Sequence, residues 1–256
     1  MKSWCGIKVG LAIIMLVCSI LQSASAGTLY VASASNFKPA LEQLITLFSQ
    51  QTGHSVHATY GSSGKLFLQI QHGAPYDLFF SADTHKPLRL VQTSYAEKEF
   101  QRTYAIGRLA LWSNKSGVEL QNGKFLHSKQ LTRLALADEK LAPYGVAAEQ
   151  TLKSLSAHQS TRNRWVVAHS VIQAFHFVST GNVDAGFVPV SYLISQGIAF
   201  DEQVWIVPDL LYSPVRQDMV LLTRSQGNPA AIQFWQFIQS AQAKAAITSY
   251  GYGIME

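Results

Sequence analysis

The chain has 256 residues, 48% of them hydrophobic and 14% charged, with 20 Lys and Arg against 15 Asp and Glu. That length suffices for one large domain or two lobes of ordinary size with a substantial core. The excess of +5 is mild and its basic residues are scattered, Arg162-Asn163-Arg164 being the densest group, which argues against a groove for nucleic acid or a membrane-binding surface.

Residues 1–26 have the form of a secretory signal. Lys2 and Lys8 precede the short apolar run VGLAIIMLVCSIL, and Ala24-Ser25-Ala26 forms an A-x-A cleavage site before Gly27. Val17 before Cys18 is bulkier than lipoprotein processing prefers, so cleavage after Ala26 is expected rather than lipid anchoring. Removing Lys2 and Lys8 with these 26 residues leaves 230 residues and lowers the charge excess from +5 to +3. Cys5 and Cys18 both fall in the signal, which leaves the exported chain no disulfide, thiolate metal site or cysteine nucleophile.

In chain order, TLYVAS (28–33) reads as a strand, followed by the amphipathic helix FKPALEQLITLFSQQT and a stop at Gly53. SVHATY (55–60) is a second strand, then a helix runs from about Lys65 to Gln71. DLFFSAD carries a third strand, with a helix from about Pro87. TYAIGRLALWSN is a strand long enough to leave one lobe and enter another. The alternation then repeats through RLALA, a helix from Val146, WVVAH, a helix from Val171, AGFVPV and QVWIVP. RQDMVLLTR is a second long strand suited to crossing back, and NPAAIQFWQFIQSAQAKAAI closes the chain as helix, its aromatics Phe234, Trp235 and Phe237 being core candidates. Strands separated by helices predict an α/β architecture with mostly parallel sheets, whose ligands sit at the strand C-termini.

Four short polar breaks fall at those strand ends and open helices: Ser35-Asn36, Gly61-Ser62-Ser63-Gly64, Pro143-Tyr144-Gly145 and Ser170-Val171. A helix start presents unpaired N–H groups and the positive end of its dipole, so it attracts anions. One Ser or Asn at a helix start is ordinarily a cap. Four together point to two lobes facing each other across an anion, with the hydroxyls of Ser35, Ser63 and Tyr144 as neutral donors beside the amides. GSSGK is too short for a phosphate-binding P-loop, and Leu66 follows Lys65 where such a loop needs Ser or Thr. The eight histidines form no cluster with metal-ligand spacing, and no G-x-S-x-G elbow supports a hydrolase.

SASNF, the run GSSGK…QI…GAPYDLFFSAD, YAIGRLALWS, LAPYG and HSVIQA together resemble the periplasmic molybdate-binding proteins of ABC importers, class II solute-binding proteins, over the whole exported chain. The resemblance implies a two-lobed fold, with residues 27–107 and 213–256 in one lobe, 108–212 in the other, and the ligand between them. It also implies that Ser35, Asn36, Ser63, Tyr144 and the Val171 backbone N–H hold molybdate or tungstate through neutral hydrogen bonds, with no cofactor and no direct bond to the metal. One branch of the family carries alanine in the third break and a tyrosine after the G-[IF]-V strand. Here Tyr144 fills the first position and Pro189, with neither hydroxyl nor N–H, the second. The chain thus resembles the branch with S/T-N-F and A-P-Y-G. The implied role is a monomeric, non-enzymatic receptor in the periplasm that delivers its anion to a membrane permease. The alternatives are a receptor for another tetrahedral oxyanion such as sulfate, or a ligand sensor that takes no part in transport.

Independently of the resemblance, a fully deprotonated tetrahedral dianion presents only acceptors, which a ring of donors satisfies. None of the four breaks contains Asp or Glu, so monohydrogen phosphate would leave its proton unpaired at a cost of about 1–3 kcal/mol.

Overall fold

Residues 26–255 are described by the structure, a computed structural model, and the expected signal apart from Ala26 lies outside the described residues. β1 (Thr28–Ala34) passes through a 3-10 turn at Ser35–Phe37 into α1 (Lys38–Thr52), followed by β2 (Ser55–Gly61), α2 (Ser63–Gln71), β3 (Leu78–Phe80), α3 (His85–Gln92) and β4 (Arg102–Gly107). After a single residue, Arg108, the chain continues as β5 (Leu109–Trp112), β6 (Leu134–Ala137), α4 (Pro143–Ser154), α5 (His158–Thr161), β7 (Trp165–Ala168), α6 (Val171–Ser179), β8 (Ala185–Pro189), α7 (Val190–Ser195) and β9 (Val204–Ile206). It ends with β10 (Val215–Leu221), α8 (Pro229–Phe237) and α9 (Ala241–Ser249).

The strands form two five-stranded sheets, in the orders β2-β1-β3-β10-β4 and β7-β6-β8-β5-β9. The long apolar stretch 102–112 breaks at Arg108, and its halves belong to different sheets. β10 returns to the first sheet between β3 and β4, and the C-terminal segment pairs beside the crossing, where Ile106 and Gly253 exchange two backbone hydrogen bonds of 2.7 and 2.9 Å. The expectation of mostly parallel sheets is corrected by these crossings. β10 runs antiparallel to β3 and β4, and β5 runs antiparallel to β8 and β9, so each sheet has two parallel and two antiparallel pairings. A parallel pair requires a helical crossover, whereas a strand that arrives directly from the other sheet enters in the opposite sense.

Packing follows the sequence periodicity. On α1, Leu41, Leu44 and Phe48 are buried on one face against Leu29, Val31, Phe80 and Phe234, and the helix stops at Gly53 in the left-handed region (φ 74). Around the second sheet Leu134, Leu136, Leu152 and Phe187 are almost fully buried. Each such side chain stabilises the fold by about 1.5–3 kcal/mol relative to exposure.

Three helices begin earlier than expected, at Ser63, His85 and Pro143: Ser62 accepts from the Lys65 N–H, Asp83 accepts from the Lys86 N–H, and Pro143 opens its helix with a preset φ and no side-chain cap. α5 and α7 were not foreseen. The C-terminal helix is two helices: Ser240 ends the first by accepting from the Ala243 N–H (3.2 Å), a local bond that competes with continuation. Phe234 is buried, while Trp235 and Phe237 pack partly buried against the same core.

Candidate functional site

The four polar breaks each follow a strand and open a helix, and all four border one cavity. Ser35 and Asn36 leave β1, Ser63 begins α2, Tyr144 is the second residue of α4, and Val171 begins α6. The cavity is very small, with an accessible volume of about 10 Å³, far below the roughly 300–1,000 Å³ of pockets for drug-sized molecules. None of the residues lining it carries a formal charge.

Local chemistry decides which donors face it. Ser62 caps α2, its Oγ accepting from the Lys65 N–H (3.5 Å), and Ser170 caps α6 by accepting from the Gln173 N–H (3.2 Å). These caps satisfy a later N–H of each helix and leave the N–H groups of Ser63 and Val171, at the first helical position, without an intrahelical partner. The start of α4 lies directly on the end of β6: a Cβ at Gly145 would stand 2.3 Å from the Ala137 carbonyl oxygen, so only glycine permits this approach. Across the cavity, the Gly64 N–H donates to the Leu141 carbonyl (3.0 Å) and ties the α2 start to the loop before α4.

The hydroxyls are directed by their own partners. Ser63 Oγ accepts from the Ala82 N–H (2.9 Å), which leaves its proton for another acceptor. Tyr144 is 2% exposed, and its Oη accepts from Gln217 Nε2 (3.3 Å). Burial, reinforced by Tyr252 and Tyr212, pushes the Tyr144 phenol well above its ordinary pKa of 10.0, so it remains a protonated donor. Asn36 contributes differently from the serines. Its side-chain amide donates to Gln217 Oε1 (2.8 Å) and Tyr252 Oη (3.1 Å), and its carbonyl accepts from Ser191 Oγ (3.0 Å). Its side-chain amide and carbonyl are thus committed to protein partners, and the residue borders the cavity at the first turn after β1.

Sequence reasoning missed the groups behind this wall: Tyr104, Gly107, Ser191, Gln217 and Tyr252. Their signal was slight. Gln217-Asp218 is a polar pair inside an apolar strand, and a buried polar residue is the informative exception in such a strand. The histidines are structural where the structure is explicit: His54 Nδ1 accepts from the Gly27 N–H (2.8 Å), and Nε2 lies 2.9 Å from Gln233 Oε1. No group of three potential metal ligands occurs among the described residues.

A larger cleft, with about 910 Å³ of empty space, shares Ala82 and Pro143 with the small cavity. Its walls carry Asp83, Lys86, Glu139 and Arg216, and Lys86 is paired with Asp83. Carboxylates there would repel a dianion. Helix starts and hydroxyls converge on the smaller cavity instead, which makes it the chemically coherent site.

This arrangement accords with comparisons to known proteins. Residues 29–253 match the model of the bacterial extracellular solute-binding protein family. The molybdate-binding protein ModA of Azotobacter vinelandii is 37% identical over 232 residues, covering 91% of this chain and 92% of that protein. ModA of Rhodobacter capsulatus is 35% identical, with 96% of both chains covered. The solved structure of the Azotobacter vinelandii periplasmic molybdate-binding protein superposes with a TM-score of 0.85 at 36% identity, covering 89% of this chain and all of that one. The two sheets, their crossing strands and the full-length match establish that the chain belongs to the bacterial extracellular solute-binding proteins.

Proposed function

We propose that this protein is the periplasmic receptor of an ABC importer and captures molybdate between its two lobes. The observation that carries the reading is the convergence of four strand-to-helix breaks, with protonated Ser and Tyr hydroxyls, on a small cavity without formal charge. Relatives named as molybdate-binding, at 35–37% identity over most of the chain, support this choice of anion. Ser35, Ser63 and Tyr144 donate hydroxyl protons, and Asn36 and Val171 donate backbone N–H groups. Each such bond to a charged acceptor contributes about 1.5–3 kcal/mol. The site binds tungstate as well, since that ion differs little in size and presents the same acceptors.

The lobes comprise residues 27–107 with 213–256, and residues 108–212. The protein acts as a monomer after removal of residues 1–26, binds without chemical turnover, and hands its cargo to a permease after closure about the crossing strands. Rigid backbone donors fix the cavity's size and disfavour sulfate, while the lack of an acceptor disfavours monohydrogen phosphate.

Calorimetric titration of the purified protein with molybdate, tungstate, sulfate and phosphate at neutral pH tests the reading. Tight one-to-one binding of the first two, with little heat from the others, is the expected result. Binding of sulfate alone would keep the mechanism and change the cargo. Heat from none of the four would overturn the oxyanion receptor.

A further inference from the structure

The buried side chain of Gln217 makes no contact with the cavity, yet it is bonded to two residues that border it. It lies on β10, where the register against β4 slips: Gln217 stands opposite Ala105 and Asp218 opposite Thr103, so Tyr104 has no partner in the ladder. Irregularities of this kind re-aim side chains beside functional sites. Here the Tyr104 hydroxyl donates to Gln217 Oε1 (2.9 Å), and Asn36 Nδ2 donates to the same oxygen (2.8 Å). The orientation of the Gln217 side chain is set by Asn36, whose NH2 cannot accept and so requires the amide oxygen on its side; the single Tyr104 proton has this oxygen at 2.9 Å and the Ser81 carbonyl at 3.2 Å as acceptors. The NH2 group is therefore directed at Tyr144 Oη. A phenol oxygen that accepts this bond retains a single proton, which is then free to point away from Gln217 and into the cavity.

Gly107, at the end of β4, makes the arrangement sterically possible. A Cβ there would lie 2.1 Å from Tyr144 Oη and 2.4 Å from Gln217 Nε2. The phenol, the amide and the strand backbone meet at a point where any side chain at position 107 would displace the phenol and the amide from this arrangement.

We propose that Gln217 is a positioning residue for anion capture: held by Tyr104 and Asn36, it donates to Tyr144 and commits the phenol proton to the ligand. The proposal rests on the oxyanion-receptor reading and deepens it. It couples the two sides of the site, because Asn36 follows β1 of the first sheet and Tyr144 follows β6 of the second.

A double-mutant cycle on molybdate affinity tests it, using calorimetry on the purified protein with Gln217→Met, Tyr144→Phe and the two combined. Each single change should weaken binding by about ten- to a hundredfold. The double variant should match Tyr144→Phe within about twofold, since Gln217 acts only through the phenol. Additive losses, or full affinity in either single variant, would overturn the proposal.

Gln217→Glu carries the test if the methionine variant does not fold, because it keeps an oxygen for Tyr104 and Asn36. As a carboxylate it would accept the Tyr144 proton and turn it from the cavity, whereas the neutral acid can donate as the amide does. Affinity of this variant should rise as pH is lowered from about 8 to about 6, and the rise should shrink when Tyr144→Phe is added. An equal rise in both backgrounds would mean charge repulsion alone and would overturn the proposal. Failure of the unaltered protein to bind any of the four anions would defeat the functional reading. Binding by the unaltered protein with additive losses would defeat only this inference.

Discussion

The two ends of the second sheet present hydrogen-bond donors in opposite arrangements. At the N-terminal ends of β6 and β8, Asp184 is a buried carboxylate supplied by the chain itself. It accepts from the Thr132 N–H (2.6 Å), the Thr132 hydroxyl (2.7 Å) and the Arg133 N–H (2.7 Å), and pairs with Lys115. Burial alone would raise its pKa, but these donors outweigh burial and hold the carboxyl well below its ordinary 3.8. At the C-terminal ends of β6 and β7, two helix starts and Tyr144 border a cavity to which the chain contributes no acid. On the proposed function, the difference teaches how one fold separates a structural anion from a cargo anion. A carboxylate tethered to the chain is permanent, and adding Lys115 makes it more so. Neutral donors alone leave the anion exchangeable and leave no cation behind when it departs.

The sharpest way to break this comparison is to give the cavity a carboxylate of its own. Ser63→Asp places an acid at the first residue of α2, where the helix dipole tolerates it. Molybdate binding should fall by several kcal/mol through like-charge repulsion, with thermal stability preserved; calorimetry showing affinity within about tenfold of the unaltered protein would contradict the assignment of the cavity.

The reverse experiment removes the tethered anion. Asp184→Ala strands two N–H groups, a hydroxyl and a lysine, and should cost about 3 kcal/mol in urea unfolding, with anion affinity little changed. Asp184→Asn resolves the electrostatic part. Because folding lowers the Asp184 pKa, its charge-dependent stabilisation is complete above the ordinary carboxylate range and is lost as pH falls through the lower folded value. The stability gap between the unaltered protein and Asp184→Asn should therefore be widest near neutrality and close on acidification. A gap independent of pH would assign the effect to packing.

Single-donor deletions come next. Ser63→Ala should weaken molybdate binding by about 1.5–3 kcal/mol, and in part through the Ala82 N–H, which loses its acceptor. Unchanged affinity in Ser63→Ala would remove that hydroxyl from the site. The smallest effect is expected in the charged cleft: Arg216→Gln should alter affinity by less than about 1 kcal/mol, mainly through the association rate, and the change should vanish in high salt. Stopped-flow mixing at two ionic strengths separates this from direct contact, which would persist in salt and appear in the dissociation rate.

Much of the fold and the borders of the cavity were legible because their causes are local. Ser62 and Ser170 cap helices three residues away, and Leu41, Leu44 and Phe48 repeat at helical spacing. Ser35, Ser63, Tyr144 and Val171 stand out because a polar break between a strand and a helix is a pattern within a few residues. The break at Ser240 was misjudged because apolar periodicity continues across a boundary that a single hydrogen bond sets, and the start of α4 because Pro143 opens the helix before the apolar periodicity begins at Val146.

The sequence by itself determined the alternation of strands and helices and the four places where donors emerge, since backbone hydrogen bonding and capping act over three or four residues. Tertiary structure alone decided that β10 inserts antiparallel between β3 and β4, and that Gln217 meets both Asn36, 181 positions away, and Tyr144, 73 positions away. No local pattern encodes those meetings. Each depends on two sheets having packed, a register having slipped by one residue, and a glycine at position 107 having left room for the phenol.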